Sequence, residues 1–118
     1  MKTLPARSAR VYVQHVFEIF DAFYPEDMAV STDENIGRLY RELLVPRALA
    51  NEAQEIIVWC DDQHDPDTFL LFEVYRDSAA FEANARSDWF ADYMRRVGPL
   101  LEGEPEVTMA TPGWSKGI

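Results

Sequence analysis

Cysteine is nearly missing from this chain; Cys60 stands alone. A lone thiol closes no internal disulfide, so the fold must rest on apolar burial, and a reducing, cytoplasmic setting is the expectation. Positive charge is also scarce. Eleven Lys and Arg face 21 Asp and Glu, a formal net charge of −10. Neither nucleic-acid phosphates nor anionic lipid headgroups are drawn to such a chain, so neither is an expected partner. Long apolar runs are missing, and none approaches the roughly 20 residues of a spanning helix. No nucleotide loop, HExxH, GxSxG or paired Cys/His spacing occurs. The two histidines, His15 and His64, are far apart. No metal site is expected from them, and DDQHDPD reads as a solvated turn. Without a flavin or dinucleotide motif no cofactor is expected, and redox chemistry would rest on the substrate itself.

What is present suits one globular domain. The chain has 118 residues, 47% of them apolar, which leaves no room for a second core. MKTLPARSAR carries basic residues with no apolar stretch after them, so residues 1–9 read as a loose arm rather than a secretory signal. RVYVQHVFEIF (10–20) alternates, with Val11, Val13, His15, Phe17 and Ile19 on one face, and predicts strand one. The segment 21–30, DAFYPEDMAV, has no period and carries Phe23, Tyr24 and Met28; it is either a cover over a pocket or filling for the domain edge. Ser31-Thr32-Asp33-Glu34 fits a capping box. Ile36, Leu39, Tyr40, Leu43 and Leu44 follow at helical spacing, and Pro46 should end or kink that helix near Val45. Arg47 to Glu52 allows a further short turn. QEIIVWC (54–60) predicts strand two, with Ile56, Val58 and Cys60 on one face and Ile57 and Trp59 on the other.

Thr68 to Gly103 organises the second half. Phe69 to Tyr75 is aromatic and branched enough for a strand covered on both faces. Asp77 or Ser78 stands where a helix N-cap belongs. Phe81 and Ala85 begin an apolar stripe, and Ser87-Asp88 interrupts it and can cap a second start. Phe90, Met94, Val97 and Leu101 resume at helical spacing, Gly98-Pro99 strains the last turns, and Gly103 is a candidate closing residue. EVTMA (106–110) predicts strand four, and 111–118 a tail with Trp114. The order β-α-β-β-α-β predicts a ferredoxin-like α+β domain, an antiparallel sheet with helices on one face. Apolar residues lie on both faces of the first three strands. A chain this short cannot cover the second face, so a homodimer through the sheet is expected.

FLLFEVYRDSAAFEA (69–83), the Ser-Asp-aromatic-Phe step at 87–90 and VGPLLEGEPEV (97–107) resemble the second half of an antibiotic-biosynthesis-monooxygenase (ABM) domain. The resemblance covers about residues 65–109. It implies the same ferredoxin-like fold, a dimeric α+β barrel, and a ligand pocket inside each subunit between sheet and helices. It also implies cofactor-independent oxygenation of an aromatic polyketide-like or quinol substrate, with a small aromatic ligand as partner. Quinone-forming members use an Arg on the second helix, which falls on Arg95. They also use an Asn and a Trp on the third strand and a Tyr early in the second helix. Those positions are Leu71, Tyr75 and Phe81 here, so the polar groups of the first and last are lost. The His ligand and supporting Trp of haem-degrading relatives fall on Met94 and Asn84. The histidines of other relatives fall on Asn84 and Trp89.

In the oxygenase reading Arg95 stabilises a phenolate, Tyr75 orients it, and His15 is a further candidate for the base. Leu71, Phe81, Asn84, Trp89, Trp59 and Met94 are the candidate substrate-binding residues. The residues themselves leave plainer roles open. His15 in an apolar strand face is equally a core or interface histidine. Glu73, in phase with Leu71 and Tyr75, needs a partner if buried, for example an Arg or Tyr across a dimer. Trp59 and Trp89 can line a planar ligand or simply pack. The missing polar groups at Leu71, Phe81 and Asn84 favour the rival reading, a non-catalytic binding or accessory protein of the same fold.

Overall fold

The computed structural model describes residues 10–18, 32–65, 67–114 and 116. The arm at 1–9, Ile19 and Phe20, the segment 21–30 and Ser31 of the capping box lie outside the described residues. The alternating start of the chain forms β1, Val11–Glu18. A helical stretch then runs as α1 (Thr32–Leu39), a π turn (Tyr40–Leu44) and α2 (Val45–Ala50). Pro46 explains that order. It brings no N–H and its ring crowds the carbonyl one turn back. In the π turn the Val45 N–H reaches five residues back to the Tyr40 carbonyl, which widens the helix just before the proline. Pro46 then falls in the first turn of α2, where a missing donor costs little. The helix is thus disturbed just before Pro46, as expected, and a short helical stretch runs on to Ala50.

Asn51 ends α2 in an extended conformation, and its Oδ1 accepts from the Ala53 N–H at 3.1 Å. β2 (Gln54–Asp61) and β3 (Thr68–Tyr75) follow. The acidic turn between them is built by its own carboxylates. Asp62 Oδ1 accepts from the backbone of His64 at 2.8 Å and Asp65 at 2.9 Å, and Asp65 Oδ2 accepts from Thr68 Oγ1 at 2.8 Å. Among the described residues no group of three or more His, Cys, Asp or Glu is arranged to hold a metal ion. Asp77 caps α3 (Ser78–Ala85) by accepting from the Ala80 N–H at 2.8 Å. Ser87, extended at ψ 148°, starts α4 (Asp88–Val97). A 3-10 turn over Gly98–Leu100 follows, and the chain is extended at Leu101. Gly103, the expected closing residue, therefore comes after the helix has already ended. β4 spans Glu106–Ala110.

The sheet is antiparallel in the order β2-β3-β1-β4, the expected ferredoxin-like arrangement. The helices cover one face. Phe17, Phe69 and Leu71 of the strands pack there with Ile36, Leu44, Tyr93, Val97 and Leu101. A smaller apolar cluster on the same face joins Val11, Val13, Tyr75 and Ala80, with Phe81 against it. Register explains why there are two clusters. Along β1 the inward residues are Val13, His15 and Phe17; along β3 they are Tyr75, Glu73 and Leu71. His15 and Glu73 thus form a polar band that separates one cluster from the other.

The opposite face carries Tyr12, Val16, Ile56, Leu70 and Phe72, all half-buried, and Val58, which is 43% exposed. Tyr12 and Phe72 meet edge to face at 5.7 Å. No described helix lies over this face, and no described helix is long and apolar enough to cross a membrane.

Candidate active site

The polar band is organised around a buried carboxylate. Glu73 is 4% exposed. A carboxylate has only acceptors, so a hydrogen bond to it is donated by the neighbour. Gln54 Nε2 donates to Glu73 Oε1 at 3.0 Å and to the Tyr75 hydroxyl at 3.2 Å. Asn84 Nδ2 donates to the same hydroxyl at 3.0 Å. With both its lone pairs engaged, the Tyr75 hydroxyl directs its own proton to Glu73. His15 Nε2 lies 3.3 Å from Glu73 Oε2, with its side chain 12% exposed. A proton on Nε2 would face that carboxylate and leave Nδ1 as the nitrogen able to accept one.

Aromatic rings border this band. Trp59 stacks on Phe69 at 4.0 Å, Phe69 on Phe17 at 4.6 Å, and Phe17 on His15 at 5.8 Å. Tyr40 closes the far end against Trp59, edge to face at 4.4 Å. The column crosses β2, β3 and β1 because Phe17 and Phe69 are direct cross-strand partners and Trp59 stands opposite Leu71. Three phenols near Glu73 are held neutral. Burial, then the Glu73 charge and its hydrogen bond, push Tyr75 well above the usual phenol range, against a smaller opposite pull from Asn84. Burial raises Tyr93, with Tyr40 and Glu73 adding to it. Burial and then Glu73 raise Tyr40. None of these phenols is a base at ordinary pH.

Two open grooves touch outer partners of the band, Asn84 in one and Gln54 in the other, and neither is lined by His15 or Glu73. One, of about 530 Å³, is lined by alanines of α2 to α3, by Arg47 and Arg76, and by Asn84 and Trp89. The other, of about 690 Å³, runs between α2 and β2 and includes Tyr40 and Gln54.

Tyr75, His15 and Asn84 meet through Glu73 or directly, and Phe81 packs on the Tyr75 ring at 5.4 Å. Leu71 is buried in the main cluster, and Trp59, Trp89 and Met94 are half-buried against it. Arg95 is not part of this group. Its side chain is 72% exposed and pairs with Asp92 at 3.1 Å, one turn back on the outer face of α4. Adjacent Arg96 shares that partner at 3.3 Å. The count along the helix gave Arg95 a pocket position, but Tyr93 and Val97 occupy the inward side. Tyr75, expected to orient a ligand, has its hydroxyl fully engaged within the protein.

Gln54 was missed. Alternation along β2 assigns it to the face of Ile56, away from His15 and Glu73. Glu73 was visible as a charge within an apolar strand, and Gln54, His15 and Tyr75 of the same chain surround it. The available signal was the phase of Glu73 with Tyr75 and of His15 with Phe17, combined with antiparallel pairing.

No family model and no curated protein matches the chain. Solved structures do share its fold. A putative antibiotic biosynthesis monooxygenase from Caulobacter crescentus CB15 superposes with a TM-score of 0.73 at 10% identity, over 92% of this chain and 93% of the other. A second antibiotic biosynthesis monooxygenase gives 0.69 at 22% identity, over 86% and 97%. A conserved protein from Bacteroides thetaiotaomicron VPI-5482, described as a possible oxidoreductase, gives 0.70 at 13% identity, over 88% and 98%.

Proposed function

We propose that this chain, whose fold is that of antibiotic biosynthesis monooxygenases, is a cofactor-independent monooxygenase of an electron-rich aromatic substrate. The observation that carries the reading is the pairing of His15 with the buried Glu73 beside a column of aromatic rings. An anthrone or quinol resists dioxygen until it loses a proton. His15 Nδ1 takes that proton, and Glu73 stabilises the imidazolium formed. The resulting anion reduces dioxygen. For an anthrone the balance is one CH₂ plus O₂ giving one C=O plus H₂O. The aromatic column forms an apolar wall beside His15, and Tyr75 holds Glu73 rather than the ligand.

The experiment is dioxygen uptake with a panel of anthrones, naphthols and quinols, with a chelator present and no flavin or metal added. Wild type is expected to consume dioxygen, and His15→Ala to lose about 10²-fold or more, the usual worth of a positioned base. No uptake by folded wild type on any substrate rejects the reading. The rival, a ligand-binding or accessory protein, is favoured by the apolar Leu71 and Phe81 and by a Tyr75 hydroxyl that has no bond left for a ligand. We further propose that the bare sheet face is covered by a second copy. Phe72→Glu should then convert a dimer into monomers in analytical ultracentrifugation, and an unchanged monomeric mass in wild type rejects this.

A further inference from the structure

Gln54 reaches Glu73 only because β2 carries a bulge. Ile57 stands opposite Glu73, on the helix side of the sheet. Strict alternation back from Ile57 puts Gln54 on the bare side. Instead the register shifts between Gln54 and Ile56, so Gln54 stands opposite Tyr75 while Ile56 faces Val74. One extra residue in a strand re-aims the side chain next to it. The extra residue is Glu55. Arg10 grips it with two bonds, Nε to Oε1 at 2.6 Å and a terminal nitrogen to Oε2 at 2.9 Å. A two-pronged guanidinium–carboxylate pair fixes orientation as well as distance.

The aim of Gln54 matters for His15. By holding Glu73 Oε1, and by holding the Tyr75 hydroxyl as well, Gln54 leaves Oε2 facing the imidazole. A carboxylate free to turn no longer favours one imidazole tautomer, and the tautomer with its proton on Nδ1 cannot accept another there. We propose that Gln54, aimed by the bulge that Arg10 and Glu55 hold, is a positioning residue that keeps Glu73 on His15 Nε2 and so keeps Nδ1 free to take a proton from substrate. The assignment rests on His15 being the base. Its physical core, the locked imidazole, can be read without turnover.

The test compares wild type with Gln54→Met, which keeps length but has no N–H, and with Arg10→Ala, which loosens the bulge. Imidazole nitrogen chemical shifts in isotope-labelled protein report the tautomer. Wild type is expected with the His15 proton on Nε2, Gln54→Met with a mixture, and Arg10→Ala with a smaller change in the same direction. With an active substrate, kcat of Gln54→Met should fall about tenfold with KM within about twofold, the pattern of a lost transition-state interaction. A wild-type imidazole protonated on Nδ1 overturns the proposal, as does a folded Gln54→Met protein with the wild-type imidazole spectrum. If wild type takes up no dioxygen, the oxygenase reading falls, and the spectra still decide whether Gln54 locks the pair.

Discussion

Replacing Glu73 by Leu tests whether the polar band stabilises the fold or weakens it. Two effects compete. A buried carboxylate costs several kcal/mol in lost hydration unless its partners compensate, so an apolar replacement can be neutral or stabilising. Against this, Gln54 and Tyr75 hydrogen-bond to Glu73, and His15 Nε2 lies 3.3 Å from it. Leucine leaves those donors without an acceptor, at about 1–3 kcal/mol for each one that stays buried. Gln54 and His15 are only partly buried and can find water, so the cost falls toward the lower end. We expect a net loss of about 3 kcal/mol, because Glu73 is only 4% exposed and its bonds run to both neighbouring strands. In urea this is a drop in midpoint with an unchanged slope. Glu73→Gln should cost less, and its amide must present an N–H to one neighbour. His15 Nε2 can receive it only by moving its own proton to Nδ1, so the variant should fold and yet lose base function. A Glu73→Leu protein as stable as wild type, or more so, would refute the compensation argument.

Tyr75→Phe removes the hydroxyl on which Gln54 and Asn84 converge; a loss of about 1–2 kcal/mol in urea unfolding is expected, with the fold retained. Arg95→Ala removes only an exposed pair with Asp92, so stability should stay within about 0.5 kcal/mol and any turnover within about twofold; a large loss of turnover would return Arg95 to the site. Asp62 accepts two backbone bonds that hold its carboxyl below its ordinary value. Its folded-state value lies below the unfolded one, so its contribution is present above the unfolded value and is lost as pH falls through the folded value. Asp62→Ala should therefore reduce stability at neutral pH and flatten the acid limb of the stability–pH curve. An unchanged acid limb would show that the turn does not depend on that carboxylate.

Much of the chain was legible in the sequence because its signals are local. Asp77 caps a helix by reaching three residues, Ser87 starts another, and Pro46 disturbs its own turn. Alternation in β1 and β3 put His15 and Glu73 on definite faces, so half of the polar band followed from phase and pairing. Three things did not follow. Arg95 shares a helix with inward residues, and the choice between two neighbouring positions depends on how α4 lies on the sheet. The partners of Glu73 come from β1, β2 and β3, and only folding brings them together. Gln54 fails by alternation because a bulge adds one residue to the count, and a bulge is set by a pairing between strands and by an ion pair from Arg10, 45 residues away. Local chemistry and strand phase thus determined the elements and which face each side chain takes. The tertiary structure decided where that phase is broken, because strand register is a property of two strands together.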